Sequence, residues 1–253
     1  MHSVHRNAAP LSMVGRAFTL LTAFRSGEGE LSLAELCRRT GIAKPTAHRL
    51  LGELAGWGVV ERTERGVRLG LRLFELGQLV PQQRDLLEVA APFLADLFEA
   101  THETVHLAVP DGTDVVYVQK LAASGSPDIP SRLGGRMPAY CTGVGKALLA
   151  FGPPDRLAAV LAAGLPRRTP RTVVAAGLLC SELGTIRRSG IAEEHEESAP
   201  GIACVAAPVL GPDGLAVAAL SITGWANRLN IPRLAPAVRT AALGLSRAVR
   251  PSP

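Results

Sequence analysis

The run Cys141-Thr142-Gly143-Val144-Gly145-Lys146 sets two glycines and a lysine at the start of an apolar helical stretch. Gly143 and Gly145 let backbone approach closely, and the free N–H groups of a helix start favour an anion such as a carboxylate. An ordinary glycine-containing helix entry would look the same. A nucleotide-binding P-loop would not, because Ala147 follows the lysine where Ser or Thr is required. Downstream, Glu193-Glu194-His195-Glu196-Glu197 is a dense acidic cluster. It is either a solvated loop or an acceptor for a ligand hydroxyl or hydrate that also repels, and so orients, a ligand's carboxylate. Alternation along Ala219-Leu220-Ser221-Ile222-Thr223 directs both hydroxyls to one strand face, as pocket donors or as a solvent face.

Catalytic and metal chemistry fit less well. His195, Glu194 and Cys204 could in principle bind a metal, but His102, His106 and His195 lie on separate segments without ligand spacing, so no metal is expected. Cys37, Cys141, Cys180 and Cys204 form no CxxC pair, and reduced, buried thiols are their simplest account. A cysteine enzyme would need Cys141 or Cys204 as a low-pKa nucleophile beside a base. No histidine lies near Cys141, and Cys204 sits in an apolar strand pattern. The chain is therefore expected to have no catalytic residue and no cofactor.

The other candidate chemistry is nucleic-acid recognition. Lys44, Thr46, His48 and Arg49 cluster at the N-terminus of a helix, where the dipole also favours phosphate. Recognition helices read base edges with such residues. Pro45 suits the first helical turn, and Ala47, Leu50, Leu51, Leu54 and Trp57 form the stripe expected to pack inward. Before it, Ser32 and Glu35 predict a capping box over a helix with Leu33, Leu36 and Cys37 on its apolar face, and Gly41 predicts a sharp turn. After it, 59–62 and 67–69 alternate around a turn at Glu64-Arg65-Gly66, a two-stranded wing carrying Arg62 and Arg65. The whole is a winged helix-turn-helix.

Composition agrees. With 47% hydrophobic and 19% charged residues the chain is globular. Of the net charge of +5, residues 1–75 carry +4, so the positive excess sits with the helix-turn-helix. Arg outnumbers Lys 24 to 3, the mark of a GC-rich bacterial genome. Neither a signal-peptide core nor an apolar stretch of spanning length is visible, which predicts a cytoplasmic protein away from the membrane.

Along the chain, 1–11 read as a disordered tail and 12–70 as the DNA-binding domain, with a first helix from Ser12 to Phe24. Residues 71–86 read as a linker helix broken at Pro81, and 87–250 as a second domain. That domain shows strands at 104–109 and 115–120, then helices near 144–151, 153–163 and 177–189. Strands at 202–210 and 215–223 and a last helix at 231–249 follow. Strand pairs at both ends with helices between predict an α+β class with an antiparallel sheet.

These residues resemble the IclR-type transcriptional regulators. The likeness is carried in order by LAELCRRTGIAKPTAHRLLGEL, LGLRLFELG, ETVHLAV, GGRMPAYCTGVGKALLA, the Glu/His cluster before GIACVAAPV, and ALSITG. The resemblance implies a winged-helix DNA-binding domain, a linker helix and a GAF-like α/β sensor domain that binds a small molecule. It also implies dimers or dimers of dimers on palindromic double-stranded operators. Transferred residue by residue, the family's effector pocket would use Ile129 as an apolar wall with Gly143, Val144, Glu194, Cys204, Ser221 and Thr223. Glu194 and His195 stand where the family commonly has Asp, and Tyr140 where His is frequent, adding aromatic surface at the pocket. The overall expectation is a DNA-binding regulator, a repressor released by an organic or aromatic acid.

Overall fold

The computed structural model describes residues 12–25, 27–122, 125–126 and 130–249. The expected tail at 1–11 and the expected pocket wall Ile129 lie outside them. The chain divides into two compact units, the first ending at Pro81 and the second beginning at Gln82.

The first unit holds α1 (Met13–Thr22), α2 (Leu33–Thr40), α3 (Lys44–Gly56), β1 (Val60–Arg62), β2 (Val67–Leu69) and α4 (Arg72–Gln78). The Ser32 hydroxyl caps α2 by accepting from the Glu35 N–H at 3.2 Å. Only half of the expected capping box forms, because the Glu35 carboxylate is engaged by Arg38 and Arg39 instead. Arg39 also grips Glu28 at 2.6 Å, tying α2 to the preceding turn. Gly41 ends α2 at φ +70°, the left-handed conformation that glycine adopts without strain. Leu20, Leu36, Ala47, Leu50, Leu51, Val60 and Val67 form the core.

Trp57 departs from its expected inward position and is 79% exposed. Helix α3 stops at Gly56, and Trp57 takes φ −90°, ψ 0° as the C-cap. The helical period that would have carried it inward has already ended there. β1 and β2 pair antiparallel from Val60↔Leu69 to Arg62↔Val67.

The second unit takes over within α5 (Pro81–Thr101), whose first residue closes the first unit, so Pro81 starts a helix instead of breaking one. It continues through β3 (Thr104–Asp111), β4 (Asp114–Leu121), β5 (Arg136–Pro138), α6 (Gly143–Ala150), α7 (Pro154–Ala163), α8 (Ala176–Ser189), β6 (Ala192–His195), β7 (Ile202–Leu210), β8 (Ala216–Trp225) and α9 (Ile231–Ala248). Two of these strands escape the sequence reading: β5, which is very short, and β6, hidden in the acidic cluster.

The six strands run antiparallel in the order β5-β4-β3-β8-β7-β6. Alternation sends Val105, Leu107, Val205, Leu220 and Ile222 to one face, under Leu94 of α5 and Val238 and Leu245 of α9. The other face, with Tyr117, Ala206 and Ala219, packs Val144 and Leu148 of α6 and Leu179 and Leu183 of α8. Because helices cover both faces, β7 and β8 are almost wholly buried and read as near-continuous apolar runs. Every residue of α6 is buried, Lys146 included.

Candidate functional sites: a helix face and a buried cavity

Helix α3 is two-sided. Ala47, Leu50 and Leu51 are buried, while Lys44, Pro45, His48 and Arg49 are exposed and Thr46 is half-buried. Arg49 pairs with Glu53 one turn on at 2.7 Å, with both side chains 59% exposed. Such a pair holds little energy, so the guanidinium is available to an outside anion. Arg62 and Arg65 on the wing are exposed as well, with Arg65 3.9 Å from Glu30. The wing turn is sterically demanding: a Cβ at Gly66 would lie 2.1 Å from the Leu31 carbonyl oxygen.

The second site is made by sheet register. β6 sets Glu194 opposite Cys204, β7 sets Cys204 opposite Thr223, and β3 sets His106 opposite Ser221. These residues share the face under the start of α6. There they enclose a cavity of about 20 Å³ lined by His106, Tyr117, Met137, Thr142, Gly143, Val144, Glu194, Ser198, Ile202, Cys204 and Thr223. That is room for about one water molecule.

Helix α6 meets the cavity end-on. Thr142 caps it by accepting from the Gly145 N–H at 3.2 Å. Gly143 and Val144, in the first turn, have N–H groups with no acceptor inside the helix. The glycines are steric requirements: a Cβ at Gly143 would meet Cys204 Sγ at 2.8 Å, and one at Gly145 would lie 2.2 Å from the Ala139 oxygen.

Glu194 alternates inward on β6 and is 1% exposed, while its neighbours Glu193 and His195 face solvent and pair with each other. The acidic cluster is therefore partly a strand, not a solvated loop. This alternation also turns His195 away from Glu194 and Cys204. Glu194 Oε1 accepts from the N–H groups of Glu197 at 2.6 Å and Ser198 at 3.0 Å. Burial nevertheless outweighs those bonds and lifts the carboxyl to about 7.

Behind the cavity, Lys146 Nζ, fully buried on α6, donates to Glu182 of α8 and to Glu197 Oε1 at 2.6 Å. Burial disfavours its charge, but the two carboxylates prevail and hold it cationic.

His106 was missed as a site residue, because a lone histidine in an apolar strand carries no spacing signal. Its Nε2 lies 2.7 Å from Ser131 Oγ, and its Nδ1 lies 3.4 Å from Thr223 Oγ1 and 3.5 Å from Ser221 Oγ. Burial, then the nearby Lys120 charge, pushes it down to about 3, so the ring stays neutral. The thiols of Cys141 and Cys204 are pushed up to about 12, chiefly by burial, the opposite of an activated nucleophile. Cys180, expected to be buried, is exposed.

Of the expected pocket residues, the cavity brings together Gly143, Val144, Glu194, Cys204 and Thr223. Ser221 stands behind His106, and Tyr140 turns away, its hydroxyl donating to the Pro166 carbonyl. Among the described residues, no helix is long and apolar enough to cross a membrane.

Known proteins match along nearly the whole chain. Residues 78–247 match the family described as bacterial transcriptional regulator IclR C-terminal, and residues 13–64 match the IclR helix-turn-helix domain. The HTH-type transcriptional regulator XynR of Escherichia coli (strain K12) is 33% identical over 245 residues, covering 94% of this chain and 97% of the relative. KdgR of the same organism is 34% identical over 227 residues, covering 88% and 86% respectively. A crystal structure of an IclR homolog from Microbacterium hydrocarbonoxydans, complexed with 4-hydroxybenzoate, superposes with a TM-score of 0.87. It is 28% identical and covers 95% of this chain and 100% of its own. The Thermotoga maritima IclR superposes with a TM-score of 0.77 at 31% identity, covering 96% and 98%. These curated relatives are regulators of transcription, not enzymes.

Proposed function

The chain belongs to the IclR family of bacterial transcriptional regulators, and from that premise we propose that it is a cytoplasmic repressor released by a small carboxylic acid. The observation that carries this reading is the polar convergence under α6: helix-start N–H groups, the hydroxyls of Tyr117, Thr142, Ser198 and Thr223, and a buried carboxyl around one cavity. A carboxylate on the Gly143 and Val144 N–H groups would use the positive end of the helix dipole. Glu194 and His106 would then accept from, or donate to, the ligand's hydroxyl or carbonyl. At about 20 Å³ the cavity admits only the smallest acids without rearrangement, so larger ones would displace the lining segment that bears Ser198.

For the DNA, Lys44, Pro45, Thr46, His48 and Arg49 would enter the major groove, with Ser32 at the start of α2 and Arg62 and Arg65 of the wing on flanking phosphates. A palindromic operator fits a homodimer or a dimer of dimers. Large exposed apolar side chains on α1 (Val14, Phe18) and around α4 (Leu71, Phe74, Leu79) support self-association. The second unit, with the residues from 87 to 250, would serve as the effector domain, and 71–86 as the linker.

The test is fluorescence anisotropy with duplexes from the region upstream of the protein's own gene. One fragment should bind specifically, more weakly as salt rises, and release on addition of a small monocarboxylate such as pyruvate or of 4-hydroxybenzoate. Equal binding to every fragment would end the repressor reading, and release by none of a panel of acids would end the effector reading.

A further inference from the structure

We propose that an anionic effector enters this cavity together with a proton taken up by Glu194, so that effector binding by this chain is proton-linked. The proposal rests on the carboxylate reading above and goes beyond it.

The walls of the cavity supply donors but no cation: among the described residues lining it there is no Lys or Arg. The cations around it are engaged elsewhere: Lys146 Nζ donates to Glu182 and Glu197, Lys120 Nζ to the Ser131 carbonyl, and Arg168 Nε to the Ser198 carbonyl. Glu194 is itself part of the wall, 1% exposed, with Oε1 already held by the Glu197 and Ser198 N–H groups. A carboxylate docked on the start of α6 therefore lies in the same cavity as the Glu194 carboxyl, which is 1% exposed on the facing strand. Two like charges in one enclosed site do not both stay ionised, and the second arrives with a proton.

The groups facing Glu194 leave it as the acceptor. Cys204 of β7 and Cys141 of the turn before α6 are neutral thiols pushed up to about 12 by burial. Tyr117 of β4 is held protonated by burial, and His106 of β3 is held neutral. Glu197, on Glu194's own segment, is turned to Lys146 of α6, with Glu182 of α8 behind it. Glu194 is already raised to about 7 by burial, close to the point where an arriving anion tips it.

The experiment is isothermal titration calorimetry of the full chain with pyruvate and with 4-hydroxybenzoate, the compound bound by the Microbacterium neighbour. Titrations run between about pH 6 and about pH 8.5, each in two buffers of different ionisation enthalpy, on the wild type and Glu194→Gln. The wild type should take up about one proton per acid at the alkaline end, with affinity falling about tenfold per pH unit above about pH 7. Glu194→Gln should bind with flat pH dependence and no proton uptake. Wild-type binding without proton uptake at the alkaline end, or uptake that persists in Glu194→Gln, overturns the proposal. If the variant loses acid binding altogether, the wild-type uptake alone decides. If neither acid binds either protein at the acidic end, the carboxylate reading itself falls and the proton linkage with it.

Discussion

Replacing Lys146 by Met tests whether the buried cation is what allows a carboxylate to sit behind the cavity. Methionine roughly preserves the volume but leaves Glu182 and Glu197 without their shared ammonium. The two carboxylates then fare differently. The Glu182 side chain is 32% exposed and can turn to water, whereas that of Glu197 is 8% exposed. Among the described residues, Glu197 Oε2 already has no hydrogen-bond partner. The loss therefore comes mainly from one stranded buried charge, a class of defect that costs about 3–5 kcal/mol. For a unit of this size about 2–4 °C is lost per kcal/mol, so the second unit should melt roughly 6–20 °C lower.

The sign of the pH dependence follows from Glu197. Without Lys146 its folded-state pKa rises further above the unfolded value, so the variant is least impaired in acid and loses ground as pH rises. Adding Glu197→Gln removes the stranded charge, and the double variant should recover most of the deficit. The assay is urea denaturation at about pH 5.5 and about pH 8, followed by Trp225 fluorescence in a Trp57→Phe background so that the second unit alone is read. A deficit below about 1 kcal/mol at the alkaline pH would refute the reasoning. So would a double variant no more stable than Lys146→Met.

The remaining expectations are brief. Arg49→Ala should leave the melting temperature nearly unchanged, since it removes an exposed pair with Glu53 and an exposed contact to Met13 Sδ, yet lower the log–log salt slope of operator binding by about 1; an unchanged slope would take Arg49 off the DNA. Gly145→Ala drives a methyl to 2.2 Å from the Ala139 oxygen and 2.5 Å from the capping Thr142 hydroxyl. It should cost about 1–3 kcal/mol in thermal or urea unfolding, and a neutral result would refute the close approach of Ala139 to the start of α6. Iodoacetamide at neutral pH should modify Cys180 quickly and spare Cys141 and Cys204 in the folded protein, as read by peptide mass spectrometry; rapid labelling of Cys204 would contradict its burial.

Much of the fold was legible because its signals are local. The helix period around Leu50 and Leu51, the serine before α2, the glycine after it and the alternating wing each act over a few residues, and the structure follows them. Trp57 shows the limit: a period predicts inward packing only while the helix lasts, and the chain caps at that residue. Pro81 shows another, since the same residue that breaks a helix from within also opens one. The candidate cavity was half legible. Gly143 and Thr223 stood out by type and pattern and Val144 by family likeness, whereas nothing in the sequence pointed to His106 at the cavity or to Lys146 as a buried ion-pair partner.

The sequence by itself determined the fold class, the polar edge of α3 and the two-faced alternation of β8. These depend on neighbours in the chain, whose geometry the backbone periods dictate. The tertiary structure decided which distant residues became neighbours. Antiparallel register sets Glu194 beside Cys204 and Cys204 beside Thr223 across three strands, and a one-residue slip would turn Glu194 out to solvent. Only after that pairing, with α6 laid over the row, does a glutamate in an acidic run become a buried acid at the wall of a cavity. Burial and the charges around it are properties of the packed whole, and no spacing of residues encodes them.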